Sequence, residues 1–221
     1  MFYKYSKILE TAGASLIEIL NKNPYLCGIE STYRVMLFKE TKFKGVYIIE
    51  PEVRTDMRGY FMESFRSDLW EEAPEPVRFI QENESFSRQG VLRGLHYQIP
   101  PYGQAKLIRV VRGAVLDVAV DMRPAQPTFG QYCQVELNDQ NKRQLFIPSG
   151  FAHGFLTLSS EAVVVYKVDA PYCRESERSL RFDDPFLRID WGVSPHSCIL
   201  SDKDREGLLW EAATHEILNN S

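Results

Sequence analysis

The stretch KLIRVVRGAVLDVAVDMR, residues 106–123, decides the fold class. It reads as two strands on either side of Gly113. In the second, Leu116, Val118, Val120 and Met122 alternate with Val115, Asp117, Ala119 and Asp121, the period of two that a strand imposes. Similar stretches lie on both sides of it. GVYIIEP, residues 45–51, reads as a strand stopped by Pro51. YCQVELNDQNKRQLFIPSG, residues 132–150, reads as a hairpin with NDQN as its turn. EAVVVYKVDAPY, residues 161–172, is another β-branched strand, and SFRSDLWEEA, residues 64–73, is a short helix. Short strands with turn signals every ten residues or so predict an all-β sandwich or barrel. Several strands set charged residues (Lys106, Arg109, Asp117 and Asp121) opposite an apolar face. Such a face is either solvated or the polar interior of a ligand-holding barrel.

The rest of the chain bounds the function. Its 221 residues are 44% hydrophobic and 25% charged, the composition of a globular domain with a sizeable core. The net charge of −4 argues against a general nucleic-acid surface, so an anionic ligand must be met by local cations. The four cysteines, Cys27, Cys133, Cys173 and Cys198, form no C-x-x-C pair and have no zinc-like spacing. Reduced, isolated thiols are expected. No apolar run approaches the roughly 20 residues that cross a bilayer, so a soluble, cytoplasmic protein is expected, with no membrane partner. Residues 5–22 carry Ile8, Leu9, Ala12, Leu16, Ile17 and Leu20 at helical spacing, and NKNPYLCGIES then breaks the pattern. Residues 1–35 therefore read as a helical appendage, either a docking helix or a leader translated ahead of Met36. Residues 36–221 read as the main domain.

Two histidine motifs carry the chemistry. PSGFAHGF, residues 148–155, holds P-x-G-x-x-H, which small cupin-type barrels use to point a histidine inward. A metal cupin also needs an earlier H-x-H and a carboxylate. Here the earlier segment, in RGLHYQIPP (residues 93–101), is His96-Tyr97-Gln98. His96 and His153 alone are poor support for a metal that takes three or four protein ligands. A metal-dependent oxygenase is thus a remote alternative. Taken singly, His96 has the bland alternative of a core histidine bonded to a backbone carbonyl.

FMESFRSDLW, FIQENESFS, GVLRGLHYQIPP, QAKLIRVVRGAVLDVAVDMR, PTFGQY, NKRQLFIPSGFAHGFLTLS, YKVDAPY, FDDPFLRIDW and LSDKD resemble, in order, the dTDP-4-dehydrorhamnose 3,5-epimerase family. The resemblance covers about residues 42–210. It implies a cupin-like double-stranded β-helix, a jelly-roll barrel, that works without metal or cofactor, usually as a homodimer. The implied reaction inverts C3 and C5 of dTDP-4-keto-6-deoxyglucose on the way to dTDP-L-rhamnose. A 3-epimerase of another deoxysugar pathway is the alternative. By this resemblance His96 is the general base, Asp204 its carboxylate partner, Tyr166 the acid on the opposite face and Lys106 the cation near the C4 oxygen. Asp204 also fits the first turn of a helix capped by Ser201. His153 would contact the sugar. Nucleotide contacts fall on Arg58, Glu63, Gln81, Asn83, Arg93, Glu177 and Lys203; an arginine fork suits a diphosphate. The chain departs from the family at Pro171, where a tyrosine is common, and in QEN, where QDN is commoner.

Overall fold

The computed structural model describes residues 36–71, 73 and 76–219. The expected N-terminal appendage, residues 1–35 with Cys27, lies outside them. Strands are numbered in chain order. β1 (Met36–Glu40), β2 (Tyr47–Pro51), β10 (Gln144–Ile147), β7 (Lys106–Arg112), β12 (Glu161–Val168) and β5 (Gln81–Arg88) form, in that order, a six-stranded sheet. β13 (Glu177–Ser179), β6 (Leu92–Gln98), β11 (Phe151–Thr157), β8 (Ala114–Asp121) and β9 (Tyr132–Asn138) form a five-stranded one. β3 (Arg54–Asp56) and β4 (Gly59–Phe61) make a separate ribbon. Pairing within both sheets is antiparallel. The two sheets face each other as a jelly roll of the cupin kind.

Three apolar layers hold this arrangement. The inner one lies between the sheets: Ile108, Val110, Leu145, Ile147 and Val164 from one side meet Val115, Ala119, Leu137, Phe151 and Phe155 from the other, with Phe43 and Val46 beside them. Outside the six-stranded sheet, Trp70 of helix α1 (Ser67–Glu71) packs on Tyr47, Ile49, Leu107 and Phe146. Outside the five-stranded sheet, Trp210 and Ala213 of helix α3 (Trp210–Asn219) pack with Leu92, Val118, Val120 and Trp191. Strands β10 and β11 are therefore buried along their whole length. Full burial of each large apolar side chain contributes about 1.5–3 kcal/mol.

The strands expected at 45–51 and 161–172 and the helix at 64–73 are present. The expected hairpin at 132–150 is not. β9 pairs with β8 in one sheet, whereas β10 lies between β2 and β7 in the other. The intervening turn redirects the chain. Asn138 Oδ1 accepts the backbone N–H groups of Gln140 and Asn141, Asn141 Oδ1 accepts that of Arg143, and Lys142 takes φ 55°. Leu137 and Leu145 then enter the inner core from opposite sheets, which a flat hairpin would forbid. The charged face also divides. Lys106 shares a side of β7 with Ile108 and Val110, toward the inner core, while Arg109 shares the other side with Leu107. Asp117 and Asp121 are fully buried on the inner side of β8. The solvated reading fails for Lys106, Asp117 and Asp121, and the ligand-cavity reading holds for Lys106 alone: Asp117 bonds His153, and Asp121 bonds Arg123 and Thr128.

Candidate active site

His96 and His153 sit directly opposite each other on β6 and β11. Two glycines bring these strands together. Gly94 adopts φ +125°, and a Cβ there would stand 2.5 Å from Gly154 Cα; one on Gly154 would stand 2.6 Å from the Arg93 carbonyl oxygen. Only hydrogen fits in that space, and the register shifts just beyond it, between His153 and Phe155.

Each histidine has its own carboxylate. His96 Nε2 lies 2.5 Å from Asp204 Oδ1. Asp204 belongs to the short helix α2 (Asp202–Arg205), whose N-cap is Ser201. Both readings of Asp204 hold at once: it is a first-turn acid and the partner of His96. Burial disfavours its charge, but hydrogen bonds from His96, Ser201 and the Gly94 backbone hold the carboxyl below its usual range. With Asp204 accepting at Nε2, a neutral His96 keeps its proton there, and its lone pair is on Nδ1. His153 Nε2 lies 2.9 and 3.0 Å from the two oxygens of Asp117, and both residues are buried. Burial pushes the His153 pKa down, against the pull of Asp117.

Lys106 opens β7 and is almost wholly buried, its Nζ donating to the His96 carbonyl at 3.3 Å. Burial pushes its pKa down to about 8, against the pull of Asp117 and Glu177. Tyr166 is on β12, next to β7. Burial raises its pKa, which Arg93 and a hydrogen bond with Asn83 oppose, so the phenol keeps its proton. His96, Lys106, His153, Tyr166 and Asp204, with Ser85, Arg93, Phe155, Ser201 and Lys203, line one cavity of about 230 Å³. The imidazole comes from the five-stranded sheet and the phenol from the six-stranded one. A ligand in this cavity meets an imidazole from one sheet and a phenol from the other. Among the described residues no group of three His, Cys, Asp or Glu side chains is placed to hold a metal ion.

Residues 40–212 match the sequence model of the family described as dTDP-4-dehydrorhamnose 3,5-epimerase. The chain belongs to that family. A dTDP-4-dehydrorhamnose 3,5-epimerase of Shigella flexneri is 51% identical over 169 residues, 76% of this chain and 92% of the relative. A dTDP-4-dehydrorhamnose 3-epimerase of Streptomyces niveus is 38% identical over 175 residues, 79% of this chain and 84% of that one. Among solved structures, the 3,5-epimerase of Legionella pneumophila in complex with dTDP-4-keto-L-rhamnose superposes with TM-score 0.77 at 45% identity, covering 82% of this chain and 96% of that one.

Of the residues matched to the epimerase family by motif, seven line the cavity: Arg93, His96, Lys106, His153, Tyr166, Lys203 and Asp204. Three more lie around it. Asn83 bonds Tyr166 and accepts from Gln81 Nε2 at 2.8 Å, and Glu177 pairs with Lys203 and accepts from the Tyr172 hydroxyl at 2.9 Å. Two are elsewhere. Arg58 lies on the ribbon, paired with Asp56 and 86% exposed, and Glu63 faces Arg66 at 3.9 Å. Three residues went unassigned by sequence. Asp117 carried a signal, a carboxylate amid an apolar strand. Ser201 was legible as a cap only. Gln98 ties the loops beside Pro171: its amide donates to the Tyr102 and Pro171 carbonyls and accepts from Cys173 N. Cys133, Cys173 and Cys198 are free thiols, and burial pushes Cys133 up to about 12.

Proposed function

We propose that the protein epimerises dTDP-4-keto-6-deoxy-D-glucose at C3 and C5 to dTDP-4-keto-L-rhamnose, with His96 as base and Tyr166 as acid. The observation that supports this most is the pairing of a carboxylate-bound imidazole on one sheet with a protonated phenol on the other, across a single cavity that also holds a lysine. His96 Nδ1 takes the C3 proton, and the electron pair moves through the C3–C4 bond onto the C4 oxygen. The Lys106 ammonium stabilises the enolate. Tyr166 then gives its proton to the opposite face of C3. Solvent removes the imidazolium proton and restores the phenol, so no proton is gained or lost. The same cycle at C5 completes the conversion. Arg93 and Lys203, the exposed cations of the cavity lining, meet the diphosphate.

The reading includes a cytoplasmic homodimer. The ribbon exposes Met57, Tyr60 and Phe61, an apolar surface that a second copy would cover. Light scattering would then return twice the chain mass of 25.5 kDa.

Proton NMR of the keto sugar with enzyme in deuterated water tests the chemistry. The expected result is loss of both the H3 and H5 signals, and no loss with His96→Asn. Exchange at C3 alone would instead mark a 3-epimerase, the activity named for the Streptomyces niveus relative. Ordinary exchange in His96→Asn would remove His96 from the role of base.

A further inference from the structure

The Asp204 carboxylate has two oxygens, and His96 uses one of them. The other, Oδ2, accepts the hydroxyl proton of Ser201 at 2.7 Å. The same hydroxyl oxygen accepts the backbone N–H of Asp204 at 3.2 Å. A hydroxyl has one proton and two lone pairs, so both bonds can exist together only with the proton aimed at Oδ2. Ser201 thus grips Asp204 at the main chain and at the far carboxylate oxygen. That leaves the carboxylate no free rotation about its last bond, and Oδ1 stays directed at His96 Nε2.

An N-cap does not require this. A capping serine needs only to accept a backbone N–H, and its proton is then free to go to water. Here the proton goes to the carboxylate that fixes the tautomer of the imidazole. Ser201 itself lines the cavity wall beside that pair.

We propose that Ser201 is a positioning residue for the epimerisation: its hydroxyl locks the Asp204 carboxylate so that His96 holds its proton on Nε2 and presents Nδ1 as the base. This rests on the reading of His96 as the base. It adds a requirement that the cap alone does not impose, namely a hydroxyl proton at position 201.

The test separates the cap from the lock. Ser201→Gly keeps a residue accepted at an N-cap but removes the hydroxyl. Ser201→Thr keeps both. Nitrogen-15 NMR of the His96 ring reports which nitrogen carries the proton, and kinetics with dTDP-4-keto-6-deoxyglucose report its effect. Ser201→Gly should lower kcat about 10- to 100-fold, the range for losing a hydrogen bond to a charged group. KM should change little, and His96 should become a mixture of tautomers. Ser201→Thr should restore both the rate and the single Nε2–H tautomer. Two outcomes overturn the proposal: wild-type kcat in Ser201→Gly, or a lowered kcat with melting temperature lost and the His96 tautomer unchanged. The underlying reading is judged separately by His96→Asn. If that variant loses proton exchange while Ser201→Gly is silent, the base assignment stands and only the role of Ser201 falls.

Discussion

Lys106 keeps its ammonium group almost wholly out of water, and burial pushes its pKa down to about 8. The charged form is therefore the one present below pH 8 and is lost above it. If that charge stabilises the enolate, kcat/KM should fall as pH rises through about 8. Lys106→Arg, whose guanidinium stays charged, should carry this alkaline limb to higher pH. Lys106→Met should lower kcat about 100- to 1,000-fold, as when a donor to a developing oxyanion is lost. Its residual activity should have no limb near 8, and a limb that persists in the methionine variant assigns the titration to another group. Tyr166 has a different signature. With His96 as the proposed base, removing and returning a proton on its own face, Tyr166→Phe should leave deuterium exchange at C3 running. Inversion should fall about 100- to 10,000-fold, the usual contribution of a positioned acid. NMR separates the two rates in one sample. At this scale most of the site was legible, because its side chains sit in short ordered motifs such as RGLH and LSDKD. Asp117 was not. Alternation along AVLDVAVD marks two faces of a strand but does not say which of them meets water, so a buried carboxylate and a solvated one read alike.

The elements set how closely the site is held, and where β6 meets β11 there is no room for a side chain. Gly94→Ala would place a methyl group 2.5 Å from Gly154 Cα while holding alanine at φ +125°. Strain of this kind costs about 1–3 kcal/mol before any clash is added. In a domain this size that is a fall of at least about 2–12 °C in Tm. Because His96 lies two residues further on, kcat should fall as well. Calorimetry and turnover on one preparation check both, and wild-type values for each would mean that the strands can separate without harm. The pairing of strands was the least legible level. Residues 132–150 have every local mark of a hairpin, yet β9 and β10 belong to different sheets. Polarity patterns and turn residues are local, whereas a strand's partner is set by which distant face it must cover. The asparagines at 138 and 141 were visible, but their side chains hold a corner between sheets instead of a tight reversal.

For the molecule as a whole, fold class was legible from the many short strands, and the order of the sheets was not. The family match starts at residue 40, and β1 already pairs along its full length with β2 from Met36 onward. A chain beginning at Met36 should therefore fold and turn over at close to the full rate, judged by circular dichroism and by kcat. An insoluble or inactive product would give residues 1–35 a part in the barrel or the dimer. The way the cavity is put together also governs how the protein reaches its working form. Tyr166 and His96 enter the cavity from different sheets, and His96 meets Asp204 across 108 residues of sequence. Contacts between such remote segments form late, because the chain must close long loops before they are rewarded. Strand content should return early after dilution from denaturant, while epimerase activity waits for both sheets to dock, so its recovery times the last step of folding.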